Sequence, residues 1–212
     1  MCRTRINSTT GLAIIFLFFA TTAFAGDPNE LKLRIGTGNP AAGKEKSLLC
    51  QGCHGEDGNS ATANFPKLAG QYAAYIQKQV RDFQSGARTD PVMSEMAATV
   101  ASNQDLLDIS AYFASQKPMK ADSPVANPAG EARFMTAGTG CVQCHVIGGK
   151  DTIPIDPLAP ILSGQHKDYL VKQLKAFKDR SRTNEKSGMM SFIFGFMSDR
   201  DIEDVAEFAS GL

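Results

Sequence analysis

Hydrophobic residues along the chain recur with helical spacing, and no stretch alternates apolar and polar positions as a half-buried strand does. Apolar side chains a full turn apart predict amphipathic helices in several segments. These helices are expected over residues 71–85, 103–116, 165–180 and 198–210. A further helix is expected to begin after Asn39 and to run into Cys50, because asparagine is a good N-cap and a proline follows it. The pattern therefore predicts an all-α protein.

The predicted helices belong to two copies of one unit. Residues 65–71 (FPKLAGQ) recur as residues 159–165 (APILSGQ), and the stretch that begins each final helix recurs as well. An internal repeat of roughly 80–90 residues indicates two tandem domains, each of them small for an independent hydrophobic core. The predicted division is an N-terminal domain at 26–116, an extended proline-containing linker at 117–126 and a C-terminal domain at 127–212.

Residues 1–25 have the pattern of a cleaved secretory signal. Arg3 and Arg5 precede an apolar run, and an A-x-A cleavage site ends at Ala25. The apolar run is shorter than the ~20 residues of a spanning helix, and an uncleaved anchor is the alternative. We therefore expect a periplasmic protein, peripheral at the membrane at most. The chain has 22 basic and 22 acidic side chains, a balance that does not favour nucleic-acid binding.

Two C-x-x-C-H motifs, at residues 50–54 and 141–145, carry the chemistry. This spacing is the attachment signature of a c-type haem, in which two thiols bond the haem and the histidine ligates its iron. A zinc ribbon would place its cysteine pairs ~15–20 residues apart, and a thioredoxin-like site would need a βαβ setting. A structural disulfide would not explain the histidines. The motifs predict two covalent haem c groups, bonded by Cys50, Cys53, Cys141 and Cys144 and ligated by His54 and His145.

The second axial ligand decides the function, because an iron with two strong protein ligands mostly carries electrons. Each unit has methionines between its amphipathic helix and its final helix, and the register of the repeat selects Met93 and Met190. Both are expected in loops, and the alternative is that they fill the core. The third histidine, His166, is either a distal ligand or, as we prefer, a surface or loop-bonding residue.

Several other residues are expected to support the haems. A backbone carbonyl at Pro66 and at Pro160 is expected to accept the free ring N–H of each histidine, unless these are ordinary turn prolines. Arg88 and Arg182 are candidates for neutralising a haem propionate, the alternative being a solvated arginine. The basic run at residues 172–182 is either a steering surface for an acidic redox partner or a solvated helix face.

With these features the chain resembles the cytochrome c4 family of dihaem, two-domain cytochromes. The resemblance rests on residues 50–60, 64–71 and 109–116, and it is weaker around the second motif. It implies two cytochrome c folds related by a pseudo-twofold axis, with the haems facing each other across the domain interface. It also implies histidine–methionine ligation at both irons.

The predicted function is that of a periplasmic one-electron carrier in a respiratory chain. Histidine–methionine ligation raises the reduction potential, which suits a donor such as a quinol–cytochrome c reductase and an acceptor such as a terminal oxidase. One alternative is the dihaem electron-accepting subunit of a flavocytochrome sulfide dehydrogenase-type complex. A dihaem peroxidase would need an iron with an open position, whereas both units offer a methionine.

Overall fold

The computed structural model describes residues 36–122, 126–136, 140–145, 156, 158–185 and 187–212. We call residues 36–122 the N-terminal half and residues 126–212 the C-terminal half. Over these ranges the regular structure is helical and contains no strand, as predicted. The predicted signal segment lies outside the described residues. None of the described helices has the length and apolar character needed to cross a membrane.

The N-terminal half contains five helices. They are α1 (Pro40–Lys46), α2 (Leu48–His54), α3 (Ala73–Ser85), α4 (Pro91–Ala98) and α5 (Asn103–Ser115). Asn39 caps α1 as expected, since its side chain accepts hydrogen bonds from two backbone N–H groups. The single helix predicted up to Cys50 is wrong, because the helix breaks at Ser47. There the serine hydroxyl donates to Lys44 O and competes with the helical backbone pattern.

The C-terminal half repeats this order with one change at the motif. Its elements are α6 (Pro128–Met135), a 3₁₀ helix (Cys141–Gln143), α7 (Lys167–Lys178), α8 (Met189–Gly195) and α9 (Asp199–Ser210). The amphipathic and final helices begin and end within a residue or two of their predicted bounds in both halves. Ser198 begins α9 with a capping box, in which its hydroxyl and the Asp201 carboxylate each accept a backbone N–H.

In each half the first helix crosses the last helix at a glycine. A β-carbon on Gly43 of α1 would lie 1.9 Å from Asp108 O of α5, and one on Gly130 of α6 would lie 2.1 Å from Asp204 O of α9. The two aspartates occupy the same position of the repeat. The close approach of these two helices therefore requires glycine, which has no β-carbon, in both halves.

Asp108 also ties α1 to α5 through its carboxylate. It accepts hydrogen bonds from Asn39 N–H at 2.8 Å, Lys46 Nζ at 2.6 Å and Gln104 Nε2 at 2.8 Å. These bonds, the one from the Asn39 backbone above all, lower the pKa of Asp108 to about 2.

Replacing Asp108 by asparagine is expected to destabilise the protein at neutral pH and much less in acid. The folded-state pKa lies below the ordinary value of about 3.9, so the carboxylate stabilises the fold above that ordinary value. This stabilisation is lost as the pH falls through about 2. Thermal unfolding midpoints of both proteins between pH 2 and pH 7 measure the effect. Asp199→Asn, at an ion pair whose carboxylate is 67% exposed, should change little. A destabilisation by Asp108→Asn that stayed constant over this pH range would contradict the assignment.

Each half has its own apolar core beside its motif. In the N-terminal half the buried residues are Ile76, Ile109, Tyr112 and Phe113, with Cys50 packed against them. In the C-terminal half they include Phe134, Leu174, Phe194, Ile202 and Val205, with Cys141 and Met190 packed against them. A third buried cluster joins the halves and consists of Ala69, Tyr72, Met119 and Ile161. The two cores thus meet at a buried interface.

Candidate haem sites and their interface

The two motifs lie in different local structures but bury their histidines alike. His54 is the last residue of α2 and is 4% exposed, and His145 follows the 3₁₀ helix and is 7% exposed. The motif cysteines are free thiols with no disulfide among them. Burial raises the pKa of the Cys50 thiol, and it raises that of the Cys141 thiol to about 11. Such thiols lack the acidity of those in disulfide oxidoreductases.

Each histidine is held through its Nδ1 atom by a proline carbonyl, as predicted. His54 Nδ1 lies 2.8 Å from Pro66 O, and His145 Nδ1 lies 2.7 Å from Pro160 O. The bond leaves Nε2 as the ring nitrogen able to ligate a metal. Burial lowers the pKa of both histidines, although the carbonyl bond acts in the opposite direction. Each ring is therefore neutral at neutral pH, the form that binds a metal.

The two selected methionines lie in the first turns of α4 and α8, so the prediction of loop positions is wrong. Asp90 starts α4 by accepting the N–H of Met93 and of one neighbour, so the helix begins before the methionine. Met93 and Met190 are half-buried, whereas Met96 is 36% exposed and Met189 is 53% exposed. Burial thus distinguishes each selected methionine from its neighbour.

A cavity lies between the second motif and α8. Its lining brings together the predicted site residues Cys141, Cys144, His145 and Met190, together with Met189. The rest of the lining is mostly apolar and includes Leu162, Leu170, Leu174, Ile193, Phe194 and Val205. Two thiols, a neutral imidazole and a thioether around an apolar space fit a covalently bonded haem.

Arg88 and Arg182 lie between the halves and not in open solvent. Arg88 donates to Gln173 Oε1 at 2.7 Å and to Tyr169 OH at 3.1 Å, both in the C-terminal half. Arg182 donates in return to Gln79 Oε1 at 3.1 Å in the N-terminal half. Within the described part of the chain, the acceptors around both guanidinium groups are neutral amides and phenols. Arg88 is buried and Arg182 is half-buried, and neither guanidinium donates a hydrogen bond to a carboxylate within the described residues. This setting fits a role in neutralising haem propionates.

Two glutamines join the halves at the peptides that hold the histidines. Gln165 accepts Lys67 N–H at 2.8 Å and donates to Lys67 O at 2.9 Å. Gln71 accepts Ile161 N–H and donates to Ile161 O, both at 3.0 Å. Because Gln71 and Gln165 are equivalent in the repeat, these reciprocal bonds are the pattern of a pseudo-twofold axis between the halves.

His166 is buried at the same interface, so the surface position was wrong and the loop-bonding role was right. Its Nδ1 lies 2.8 Å from an Asp122 carboxylate oxygen, and its Nε2 lies 2.8 Å from Ser60 Oγ. Lys67 Nζ donates to the same aspartate at 2.6 Å. Both ring nitrogens are thus engaged by protein groups, which leaves neither for an iron.

The basic run of α7 is largely neutralised within the chain. Lys172 pairs with Asp90, Lys175 with Glu203 and Lys178 with Asp199, at distances of 3.4, 3.3 and 2.6 Å. A face whose lysines already have carboxylate partners projects little net charge. This favours the solvated helix face over a steering surface.

The sequence interpretation did not assign a role to Gln71, Gln165 or Lys67. A signal was present, because both copies of the repeat place Gly-Gln directly before the amphipathic helix. A polar residue that recurs at the start of a buried helix needs a hydrogen-bond partner. The partner lies in the other half, which is why the pattern within one unit did not identify it.

Comparison with known proteins agrees with this geometry. A family model described as Cytochrome c matches residues 41–117 and 129–212, one region in each half. The chain is 38% identical over 190 residues to a cytochrome c4 of Azotobacter vinelandii, covering 82% of this chain and 90% of the relative. It is 33% identical over 205 residues to a thiosulfate dehydrogenase electron acceptor of Stutzerimonas stutzeri, covering 91% and 89%.

A solved structure shows the same arrangement. Reduced recombinant cytochrome c4 from Pseudomonas stutzeri superposes with a TM-score of 0.73 at 36% identity, over 82% of this chain and 99% of that one. The two matched regions and the relatives together show that this chain belongs to the cytochrome c4 family, dihaem electron-transfer proteins with two covalently bound haem c groups.

Proposed function

We propose that the protein carries electrons through the periplasm in a respiratory chain, towards a terminal oxidase. The proposal includes export by residues 1–25 and domain boundaries at 26–116, 117–126 and 127–212. The proposed haem ligands are Cys50, Cys53, His54 and Met93 in the first domain and Cys141, Cys144, His145 and Met190 in the second. The observation that carries it is the buried contact of two halves whose neutral histidines are held by equivalent peptides.

The chain's own residues suit electron transfer by holding the sites rigid. When bound, a haem supplies a one-electron change of oxidation state. The proline carbonyls fix the orientation of both imidazoles, and the apolar lining of the second site limits access of water. Arg88 and Arg182, hydrogen-bonded across the interface, hold the halves at a fixed separation. Ligands that do not move between oxidation states keep the reorganisation energy of electron transfer small.

A second candidate function is that of electron acceptor for a sulfur-compound dehydrogenase. The observation that favours it is the likeness to a thiosulfate dehydrogenase electron acceptor over most of both chains. This relative extends the alternative expected from sequence, the dihaem subunit of a flavocytochrome sulfide dehydrogenase-type complex. In either case the cytochrome receives electrons from an enzyme that oxidises reduced sulfur.

Electron exchange with purified partners distinguishes the two functions. The reduced holoprotein is expected to be reoxidised rapidly by bacterial membranes that contain a terminal oxidase, and cyanide should stop this reaction. The visible spectrum of the haems follows the reaction, and heat-inactivated membranes serve as the control. Failure of reoxidation would overturn the oxidase proposal. If the oxidised holoprotein is then reduced by thiosulfate only when thiosulfate dehydrogenase is added, the second function is supported.

A further inference from the structure

We propose that Gln71 and Gln165 act crosswise on the axial histidines. Each glutamine strengthens the hydrogen bond made by the histidine of the opposite half, and so lowers the reduction potential of the haem bound there. This inference deepens the proposed function, because it rests on His54 and His145 as the axial ligands. It makes the two glutamines positioning residues, which act on the haem through a peptide and a histidine.

The first connection runs from the C-terminal half to His54. The peptide between Pro66 and Lys67 offers its C=O to His54 Nδ1 at 2.8 Å and its N–H to Gln165 Oε1 at 2.8 Å. The peptide is trans, so its C=O and N–H point in opposite directions. One rigid planar group therefore joins the histidine of one half to the glutamine of the other.

The second connection is the equivalent one in the opposite direction. The peptide between Pro160 and Ile161 accepts from His145 Nδ1 at 2.7 Å and donates to Gln71 Oε1 at 3.0 Å. Both peptides lie at the same position of the repeat. The arrangement therefore occurs twice and crosses the interface twice.

Polarisation explains how a glutamine reaches the iron ligand. A peptide that donates its N–H becomes a better acceptor at its carbonyl oxygen, because bonds in a chain polarise one another. A stronger acceptor draws the Nδ1 proton and makes the imidazole a better electron donor at Nε2. A more electron-rich ligand stabilises the oxidised iron and lowers the reduction potential.

The two glutamine amides are fixed in the orientation that this requires. Gln71 is 2% exposed and Gln165 is 5% exposed, so solvent does not compete for the bonds. Gln165 Oε1 also accepts His166 N–H at 3.0 Å, and Gln71 Oε1 accepts Tyr72 N–H at 3.1 Å. Gln165 Nε2 donates back to Lys67 O, and Gln71 Nε2 donates back to Ile161 O. This full set of bonds assigns the acceptor oxygen to the peptide N–H in both cases.

Methionine variants of the full-length holoprotein test whether each glutamine acts on the haem of the opposite half. Gln165→Met is expected to raise the potential of the N-terminal haem, and Gln71→Met that of the C-terminal haem. A change of roughly threefold in the reduction equilibrium is expected from the loss of one polarising bond, which is about 30 mV at 59 mV per tenfold. Redox titration followed by NMR, with haem resonances assigned to each half, measures both potentials. Gln165→Asn, whose shorter amide does not reach Lys67, gives a second variant for the same comparison.

The two variants are controls for each other. General loosening of the interface would change the potential of the same haem in both variants, or the potentials of both haems equally. Either result would overturn the proposal, and so would unchanged potentials in both variants. Gln165→Glu keeps an acceptor oxygen and should not raise the N-terminal potential. The Nδ1–H resonance of His54 should move in Gln165→Met and stay in place in Gln71→Met. If the His54 Nδ1–H resonance of the unchanged protein lacked the chemical shift typical of a haem ligand, that result would contradict the proposed haem sites and not the coupling through the glutamines.

Discussion

Replacing Met190 by alanine is expected to let the reduced protein bind one carbon monoxide per chain, whereas the unchanged protein should bind none. Met190 lines the cavity that contains His145 and is half-buried against the C-terminal core. Without its thioether the iron would keep one strong protein ligand and an open position. The potential of that haem should fall by roughly 0.1–0.3 V, within the ~0.8 V over which axial ligands set haem potentials. Visible spectra before and after carbon monoxide, with a redox titration, measure both effects.

Met189 provides the matched control for this experiment. It precedes Met190 in α8 and also lines the cavity, but it is 53% exposed. Met189→Ala should bind no carbon monoxide and should leave the potential unchanged. If Met189→Ala opened the iron and Met190→Ala did not, the ligand assigned from the register of the repeat would be wrong.

The N-terminal half allows the same comparison with Met93 and Met96. Both lie in α4, where Met93 is half-buried and Met96 is 36% exposed. Met93→Ala is expected to bind one carbon monoxide and Met96→Ala none. The double variant Met93→Ala with Met190→Ala should bind two. A single equivalent in the double variant would show that one of the two irons has a different ligand.

Features encoded within one repeat unit were predictable from the sequence. The amphipathic helices follow from the spacing of residues such as Ile76 and Phe83, which the structure buries. The bond from His54 to Pro66 follows because a ring N–H beside a loop needs an acceptor, and that bond is present. In each case the cause and the effect lie within a short stretch of chain.

Two kinds of feature were not predictable: a side-chain hydrogen bond that competes with the helical backbone bonds, and contacts with the other half of the chain. The break at Ser47 depends on a side-chain hydrogen bond that propensity alone does not reveal. His166 and Gln165 owe their burial to Ser60 and Lys67, about a hundred positions away in the chain. The repeat shows that two units exist, but the surface that each offers to the other is fixed only when they pack.

The crossing of α6 and α9 leads to a large expected loss of stability when its glycine is replaced. A β-carbon on Gly130 would lie 2.1 Å from Asp204 O and 2.8 Å from the β-carbon of Phe208. Because one of these neighbours is helix backbone, the two helices would have to move apart. That movement would also stretch the bonds from Asn127 Nδ2 to Asp204 at 3.2 Å and to Glu207 at 2.8 Å.

Gly130→Ala is therefore expected to destabilise the C-terminal half by about 3 kcal/mol, the upper part of the range for overpacked sites. Gly195→Ala is the matched control, since a β-carbon on Gly195 in α8 would meet no atom within 4 Å. Alanine is a better helix former than glycine, so this control should be unchanged or more stable by up to ~1 kcal/mol. Denaturant unfolding followed by far-ultraviolet circular dichroism measures both variants. Equal stability of the two would mean that α6 and α9 can separate at no cost, which contradicts a crossing that depends on the glycine.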